Sequence, residues 1–340
     1  MKIQKKNEER PLPSPREIAK ETPFSGEEIQ KVLHFRQTIQ NILERKDERL
    51  LLIIGPCSIH CVEQAVAYAK SLQQLTPQIS KLFYPIMRVY YEKPRSSLGW
   101  QGLLNDPFLD GSHEILQGLG ITRKLLKEIT ALDLPIAAEF VNPLMISYFD
   151  ELISWGSIGA RTATSQIHRQ LASGLSMPIG IKNDVFGQIS SALHALIVAS
   201  HSQTYISLNS EGRATIKKSS GNPLAHLVLR GGTEGTNYNQ KHVEQSLLAL
   251  ERLSLPSRVI IDCNHGNSGK NHHEQIRVFQ DVLRQFLNGN RKIVGLMLES
   301  NLEEGQQLIS ENPLARQWGI SITDPCLGWR QTKELLLDFV

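Results

Sequence analysis

Short apolar runs of strand length recur along this chain with helix-like segments between them, and nearly every run stops at a residue able to hold a metal, a phosphate or a carboxylate. The runs are Leu51 to Cys57, Pro85 to Arg88 with Lys93 just beyond, Pro135 to Glu139, Ser157 to Arg161, Pro178 to Lys182, His226 to Arg230, Arg258 to His265 and Lys292 to Glu299. The intervening segments carry helical periodicity: Glu63 to Leu75, Glu114 to Leu132, Leu144 to Trp155, Gln166 to Leu175, Ile189 to Ser200, Asn239 to Leu253 and His272 to Leu287, with a last one from Trp329 to Val340. Parallel strands alternating with helices in this number close into a (β/α)8 barrel, whose chemistry sits at the C-terminal strand ends. Polar groups gathered at those ends read as catalytic.

A chain of 340 residues fits one such barrel, here 49–340, with an extension at 1–48. In the extension, Pro11, Pro13 and Pro15 mark an extended arm, and Ser25-Gly26-Glu27-Glu28 starts a helix running through Ile42 to Arg45. Such an arm needs something to pack on, either a partner subunit or the base of its own barrel. One insertion breaks the alternation: Thr204 to Leu208 and Ala214 to Lys217, joined by Ser210-Glu211-Gly212-Arg213, read as a β-hairpin occupying about 203–222.

Net charge is only +3, and no basic run interleaved with aromatics occurs, so nucleic acid is excluded as a partner. The charged start from Met1 to Arg10 lacks an apolar core, and no apolar run approaches the roughly 20 residues that span a bilayer, so a soluble, cytoplasmic protein is expected. Four cysteines make no disulfide framework; Cys61 and Cys263 read as buried, structural thiols.

Cys57, His265, Glu299 and Asp324 are candidate metal ligands, because mixed sulfur, nitrogen and oxygen donors suit Mn, Fe, Co or Zn. Each alone also reads as an ordinary hydrogen-bonded side chain. Arg88, Arg161, Lys182 and Arg230 end four other strands, and cations sharing one pocket repel unless a polyanion binds among them. Lys93, Arg95 and a serine hydroxyl, on a loop stiffened by Pro94, form a second basic cluster fit for another phosphate. The residues by themselves therefore point to a metal-assisted reaction between two phosphorylated compounds.

From about Leu50 to Trp329 the chain resembles the type I 3-deoxy-D-arabino-heptulosonate 7-phosphate (DAHP) synthase family. The resemblance runs through GPCSIH at 55, MRVYYEKPRSSLGWQGLLNDP at 87, GAR at 159, SQIHRQLASGLSMP at 165, HLVLRGG at 226, IDCNHGNS at 261, GLMLESN at 295 and SITDPCLGW at 321. It implies that Cys57, His265, Glu299 and Asp324 hold the metal, with Asp324 also facing substrate. It implies that Arg88, Lys93, Arg161, Lys182 and Arg230 bind phosphoenolpyruvate near Glu139, and that Arg95 and Ser96 hold the phosphate of erythrose 4-phosphate. Cys57, Lys93 and His265 are the implied catalytic groups, and the proton source for the new alkoxide is left open between Lys93 and water beside His265. A homodimer or homotetramer and an aromatic amino-acid effector are implied too.

Three departures from the family pattern touch loops: Asp184-Val185-Phe186-Gly187, Ala163-Thr164-Ser165-Gln166, and Asn142 where an acid is usual. None removes a proposed catalytic group. Two other readings compete, a 3-deoxy-octulosonate 8-phosphate synthase and a non-catalytic effector-binding paralogue. The KPRS segment at 93 argues against the first, and the intact ligand and arginine set against the second.

Overall fold

A computed structural model of the chain describes residues 9–310 and 315–340; most of the charged start, residues 1–8, lies outside them. The elements run α1 (Pro15–Glu21), α2 (Gly26–Leu43), β1 (Leu50–Gly55), α3 (Val62–Ile79), β2 (Phe83–Arg88), α4 (Ile115–Ala131), β3 (Ile136–Glu139), β4 (Trp155–Ile158), α5 (Gln166–Ser173), β5 (Ile179–Lys182) and α6 (Ser190–Ser200). There follow β6 (Thr204–Leu208), β7 (Ala214–Lys218), β8 (His226–Leu229), α7 (Gln240–Arg252), β9 (Val259–Asp262), α8 (Glu274–Leu287), β10 (Ile293–Glu299) and α9 (Trp329–Leu337). Eight strands close a parallel barrel in the order β1, β10, β9, β8, β5, β4, β3, β2, and β6 pairs β7 as the separate antiparallel hairpin. The expected (β/α)8 barrel with an inserted hairpin is the fold.

Alternation along the strands sets two cores. In β1, Leu50, Leu52 and Ile54 face the helices, whereas Leu51 and Ile53 point inside. The inner core is completed by Ile39, Ile42 and Leu43 of α2, which close the base of the barrel against Trp155, Val228 and Ile260. Trp155 is fully buried, and its ring lies so close to Gly180 that a Cβ there would meet it at 2.4 Å. Burial of one such side chain contributes about 2–3 kcal/mol. Arg36 fastens α2 from outside, donating to the Ile153 carbonyl from Nε at 3.0 Å and to Ser176 Oγ at 2.8 Å.

Several boundaries differ from those read off the sequence. The segment from Leu144 to Trp155 is two short 3-10 turns, Met145–Tyr148 and Asp150–Leu152. Its carbonyls are claimed by arginines instead of by a helix: Arg123 Nη1 donates to Tyr148 O at 2.8 Å, and Arg36 Nη2 to Asp150 O. Pro15 does not extend the arm but opens α1, where Ser14 and Glu17 form a reciprocal capping box. Strands β1 and β9 stop at Gly55 and Asp262, and β4 at Ile158, so Cys57, His265 and Arg161 stand two or three residues beyond them. Cys263 is buried as expected, but Cys61 is only half-buried and donates to Glu63 Oε2 at 3.1 Å. Among the described residues no helix is long and apolar enough to cross a membrane.

Candidate active site

The closing seam of the barrel brings the first and last strands together, Gly55 standing beside Glu299. Cys57, Glu299 and Asp324 consequently converge, with one sulfur or oxygen atom from each lying within 4.8 Å of the others. The fourth expected ligand, His265, stands at their edge, its Nε2 3.7 Å from Glu299 Oε1. Its backbone has φ 53°, the left-handed region, which costs a non-glycine residue about 1–2 kcal/mol. The surroundings hold it there: His265 Nδ1 contacts Asp262 Oδ2 at 2.9 Å, and the Lys270 amide donates to the His265 carbonyl at 2.9 Å.

Asp262 is fully buried, and burial alone would raise its carboxyl; His265, Lys182 and Arg88 outweigh that and hold it far below the ordinary range. A permanent anion there fixes the imidazole through Nδ1 and leaves Nε2 toward Glu299. Glu299 is itself oriented by Asn264 Nδ2 and, through its backbone, by Gln275, whose Oε1 accepts from Glu299 N at 2.8 Å. Asp324 is oriented by Lys270 Nζ at 3.1 Å. Burial pushes the Cys57 thiol up to about 11, with Glu299 adding to the push and Lys93 opposing it. Lys93 Nζ donates to Cys57 Sγ at 3.0 Å; burial disfavours its charge, but Cys57, Glu299 and Asp324 more than compensate and raise its pKa. One sulfur, two carboxylates and an imidazole at this spacing fit a borderline divalent ion.

The same mouth collects the basic residues. Lys182 donates to Glu139 Oε2 at 3.0 Å and lies 3.8 Å from Asp262. Burial opposes ionisation of both partners, yet Lys182 holds the Glu139 carboxyl below its usual value and Glu139 raises Lys182. Gly159 makes room for that pair, since a Cβ there would approach Glu139 Oε1 at 2.5 Å. Arg230 reaches the pocket with its amide fixed by Asn183 Oδ1 at 2.7 Å, and Arg161 Nε donates to Ser96 Oγ at 2.7 Å. Arg95 Nε is tied to the Trp100 carbonyl at 2.8 Å. Arg88 is the most enclosed, stacked 3.9 Å above Tyr90 and donating to Glu299 Oε1 at 2.8 Å. Seven cationic side chains and two carboxylates line this pocket: Arg88, Lys93, Arg95, Arg161, Lys182, Arg230 and Lys270 against Glu139 and Asp324.

All twelve residues singled out from the sequence thus surround one mouth. The sequence reading missed Asp262, Asn264, Gln275 and Lys270, which hold His265, Glu299 and Asp324 in place. Asp262 and Asn264 flank a cysteine within the run before His265, so an acid three residues ahead of a ligand histidine was the available signal.

Comparison with known proteins gives the chain's family. The sequence profile of the DAHP synthetase I family matches residues 23–337. The chain is 40% identical over 329 residues to the Tyr-sensitive phospho-2-dehydro-3-deoxyheptonate aldolase of Escherichia coli, covering 97% of this chain and 92% of the relative. It is 42% identical over 326 residues to the Trp-sensitive enzyme of the same organism, covering 96% and 93%. A solved phospho-2-dehydro-3-deoxyheptonate aldolase from Francisella tularensis superposes with a TM-score of 0.94 at 39% identity, over 98% of this chain and 97% of that one. With its profile matched from the second helix to the last and its barrel superposed end to end, the chain belongs to the DAHP synthetase I family.

Proposed function

We propose that the barrel mouth condenses phosphoenolpyruvate with D-erythrose 4-phosphate and water, giving 3-deoxy-D-arabino-heptulosonate 7-phosphate and phosphate, the first step of the shikimate pathway. The observation that carries this reading is the excess of cationic side chains beside one converging donor cluster. Such a pocket is underfilled until two anions enter it. Arg161, Lys182 and Arg230, with Arg88 and Lys93, bind phosphoenolpyruvate. Arg95 and Ser96 take the phosphate of the aldehyde, and the Arg161 to Ser96 contact joins the two subsites.

Cys57, His265, Glu299 and Asp324 would hold a divalent Mn, Fe, Co or Zn ion, which would supply Lewis acidity toward the aldehyde oxygen. The remaining work falls to the chain. Arg88, buried and fixed on Glu299, sets the floor on which phosphoenolpyruvate lies. C3 of phosphoenolpyruvate attacks the aldehyde carbon; Glu139 and the substrate phosphate then stabilise the cationic C2, water adds there, and phosphate departs from the hemiketal. Lys93 gives its proton to the alkoxide. Glu299 and Asp324, which help raise Lys93, are themselves among the proposed ligands, so engaging them elsewhere frees the ammonium to act as an acid.

The N-terminal arm meets the hairpin and the loop after β3: Arg16 N donates to Ser210 O at 2.9 Å, Tyr148 Oη to Pro13 O at 2.8 Å, and Ser147 Oγ to Leu208 O at 3.2 Å. We place aromatic amino-acid control at this junction, in a homodimer or homotetramer built with residues 1–48; relatives named Tyr-sensitive and Trp-sensitive motivate the effector class. The test is phosphate release from phosphoenolpyruvate with erythrose 4-phosphate or arabinose 5-phosphate, with and without a strong chelator. Turnover only with the four-carbon aldehyde, lost to chelator and restored by Mn, Fe, Co or Zn, is expected. Preference for the five-carbon aldehyde, or no turnover with either in metal-loaded protein, overturns the reading.

A further inference from the structure

A second cluster of metal-type donors lies on the rim of the barrel, separate from Cys57. His272 and His273 stack with ring centroids 4.1 Å apart at 36°, and one donor atom from each, together with a Glu304 carboxylate oxygen, lies within 4.8 Å of the others. We propose that His272, His273 and Glu304 form a second site for a borderline divalent cation of the zinc class.

Three features favour a built site over a chance meeting of side chains. Glu304 is oriented from behind, since Gln331 Nε2 donates to its Oε2 at 2.6 Å while Gln331 Oε1 accepts from Gly328 N at 3.0 Å. A carboxylate held through one oxygen presents the other, and such supporting contacts are what fix first ligands in metal sites. The backbone on both sides of Glu304 is pinned as well: Glu303 N donates to Gly319 O at 3.1 Å and Gly305 N to Cys326 O at 2.9 Å. On the opposite side the histidines immediately precede α8, whose first-turn amides of Gln275 and Ile276 donate to their carbonyls at 3.2 and 3.1 Å. Two imidazoles and one carboxylate without a thiolate suit Zn, Ni or Cu, with coordination positions left for water.

The cation would join two loops. His272 and His273 follow His265 on the segment between β9 and α8, and Glu304 belongs to the segment leading toward Asp324. At present Lys270 to Asp324 is an exposed ion pair linking the same two segments, and exposed pairs are weak. A bound cation would tie the ligand-bearing loops more firmly than that pair does.

The experiment is equilibrium dialysis of the full chain against buffered Zn, with the bound metal counted, for wild type, His273→Ala, Glu304→Gln and Gln331→Ala. Wild type should carry one equivalent that His273→Ala and Glu304→Gln both lose, and Gln331→Ala should weaken that equivalent about tenfold. Loading with cobalt separates this site from the thiolate one: the sulfur-to-cobalt absorption should persist in His273→Ala while the count falls. The proposal concerns only the equivalent removed by these rim substitutions, so it survives or fails independently of whether Cys57 takes part in catalysis. Identical metal counts and affinities in wild type, His273→Ala and Glu304→Gln would overturn it.

Discussion

The base of this barrel and its mouth treat charge in opposite ways. At the base, most polar groups bond to the chain itself: Trp155 Nε1 donates to His226 Nε2 at 3.1 Å, His226 Nδ1 donates to Leu224 O at 2.8 Å, and the Arg258 Nη atoms donate to the carbonyls of Leu43 and Pro223. At the mouth, carboxylates and cations are crowded together and the cations outnumber their protein partners. The base is completed by the chain's own contacts; the mouth, under the proposed function, is completed by anions and a metal ion. Stability should therefore reside mainly at one end and turnover at the other.

Substitution separates the two ends most sharply at Arg230. Arg230→Ala should lower kcat/KM by about 10²–10³ with little change in melting temperature, because its side chain lines the pocket rather than the core. A melting temperature that fell as far as for a core deletion, with turnover retained, would erase the contrast. The mirror experiment is Trp155→Ala, which should cost about 3–5 kcal/mol in denaturant unfolding while leaving KM for phosphoenolpyruvate unchanged in the protein that remains folded.

The ends should also answer pH with opposite signs. Burial, helped by Arg258, drives His226 at the base down from 6.5 to about 3, so the folded state keeps it neutral while the unfolded chain takes up a proton. Stability from this residue is complete above 6.5 and is lost as pH falls, by about 2 kcal/mol between pH 7 and 5. Equal acid sensitivity in His226→Phe would show that the loss arises elsewhere. Glu92, just before Lys93, is pushed by burial from 4.5 up to about 7. Its folded form retains a proton the unfolded chain releases, so its contribution declines as pH rises from 4.5 to 7, and Glu92→Gln should flatten the alkaline side of the stability curve.

The smallest effect concerns control. Asn142 Oδ1 accepts from Leu144 N at 3.0 Å, capping the start of this loop, while the Asn142 backbone N–H donates to Glu92 Oε2 at 3.4 Å. With a neutral amide in place of an acid, this loop loses about 1 kcal/mol of charge-assisted bonding, comparable to a typical coupling energy. Weak or altered inhibition by Phe, Tyr and Trp is expected at subsaturating phosphoenolpyruvate. Near-complete inhibition at micromolar effector would contradict this.

The contrast between the ends also explains what could be read from the residues alone. Strand-length apolar runs and the reactive side chains beyond them are local patterns, so the barrel, the hairpin from Thr204 to Lys218 and the mouth residues were legible. Residues 144 to 155 misled because their helix-like pattern is overridden by Arg36 and Arg123, which arrive from distant segments to bind the carbonyls. The capping box at Ser14 and Glu17 was present in the sequence, but three nearby prolines pointed to an arm and outweighed it. Asp262 and Asn264 could be seen only as part of a motif, since their partners Lys182 and Glu299 come from other strands.

The seam between β1 and β10 has a consequence for how the protein comes into being. Cys57 is made early and Glu299 and Asp324 among the last, yet Gly55 and Glu299 are neighbours across that seam. On the ribosome, a chain that has presented seven of the barrel strands still has an open sheet edge and lacks both Glu299 and Asp324. Completion of the catalytic centre and closure of the sheet are one event. Metal loading at the proposed centre is therefore expected only once β10 has joined β1, and a product lacking β10 should be inactive and exposed along its unpaired edge.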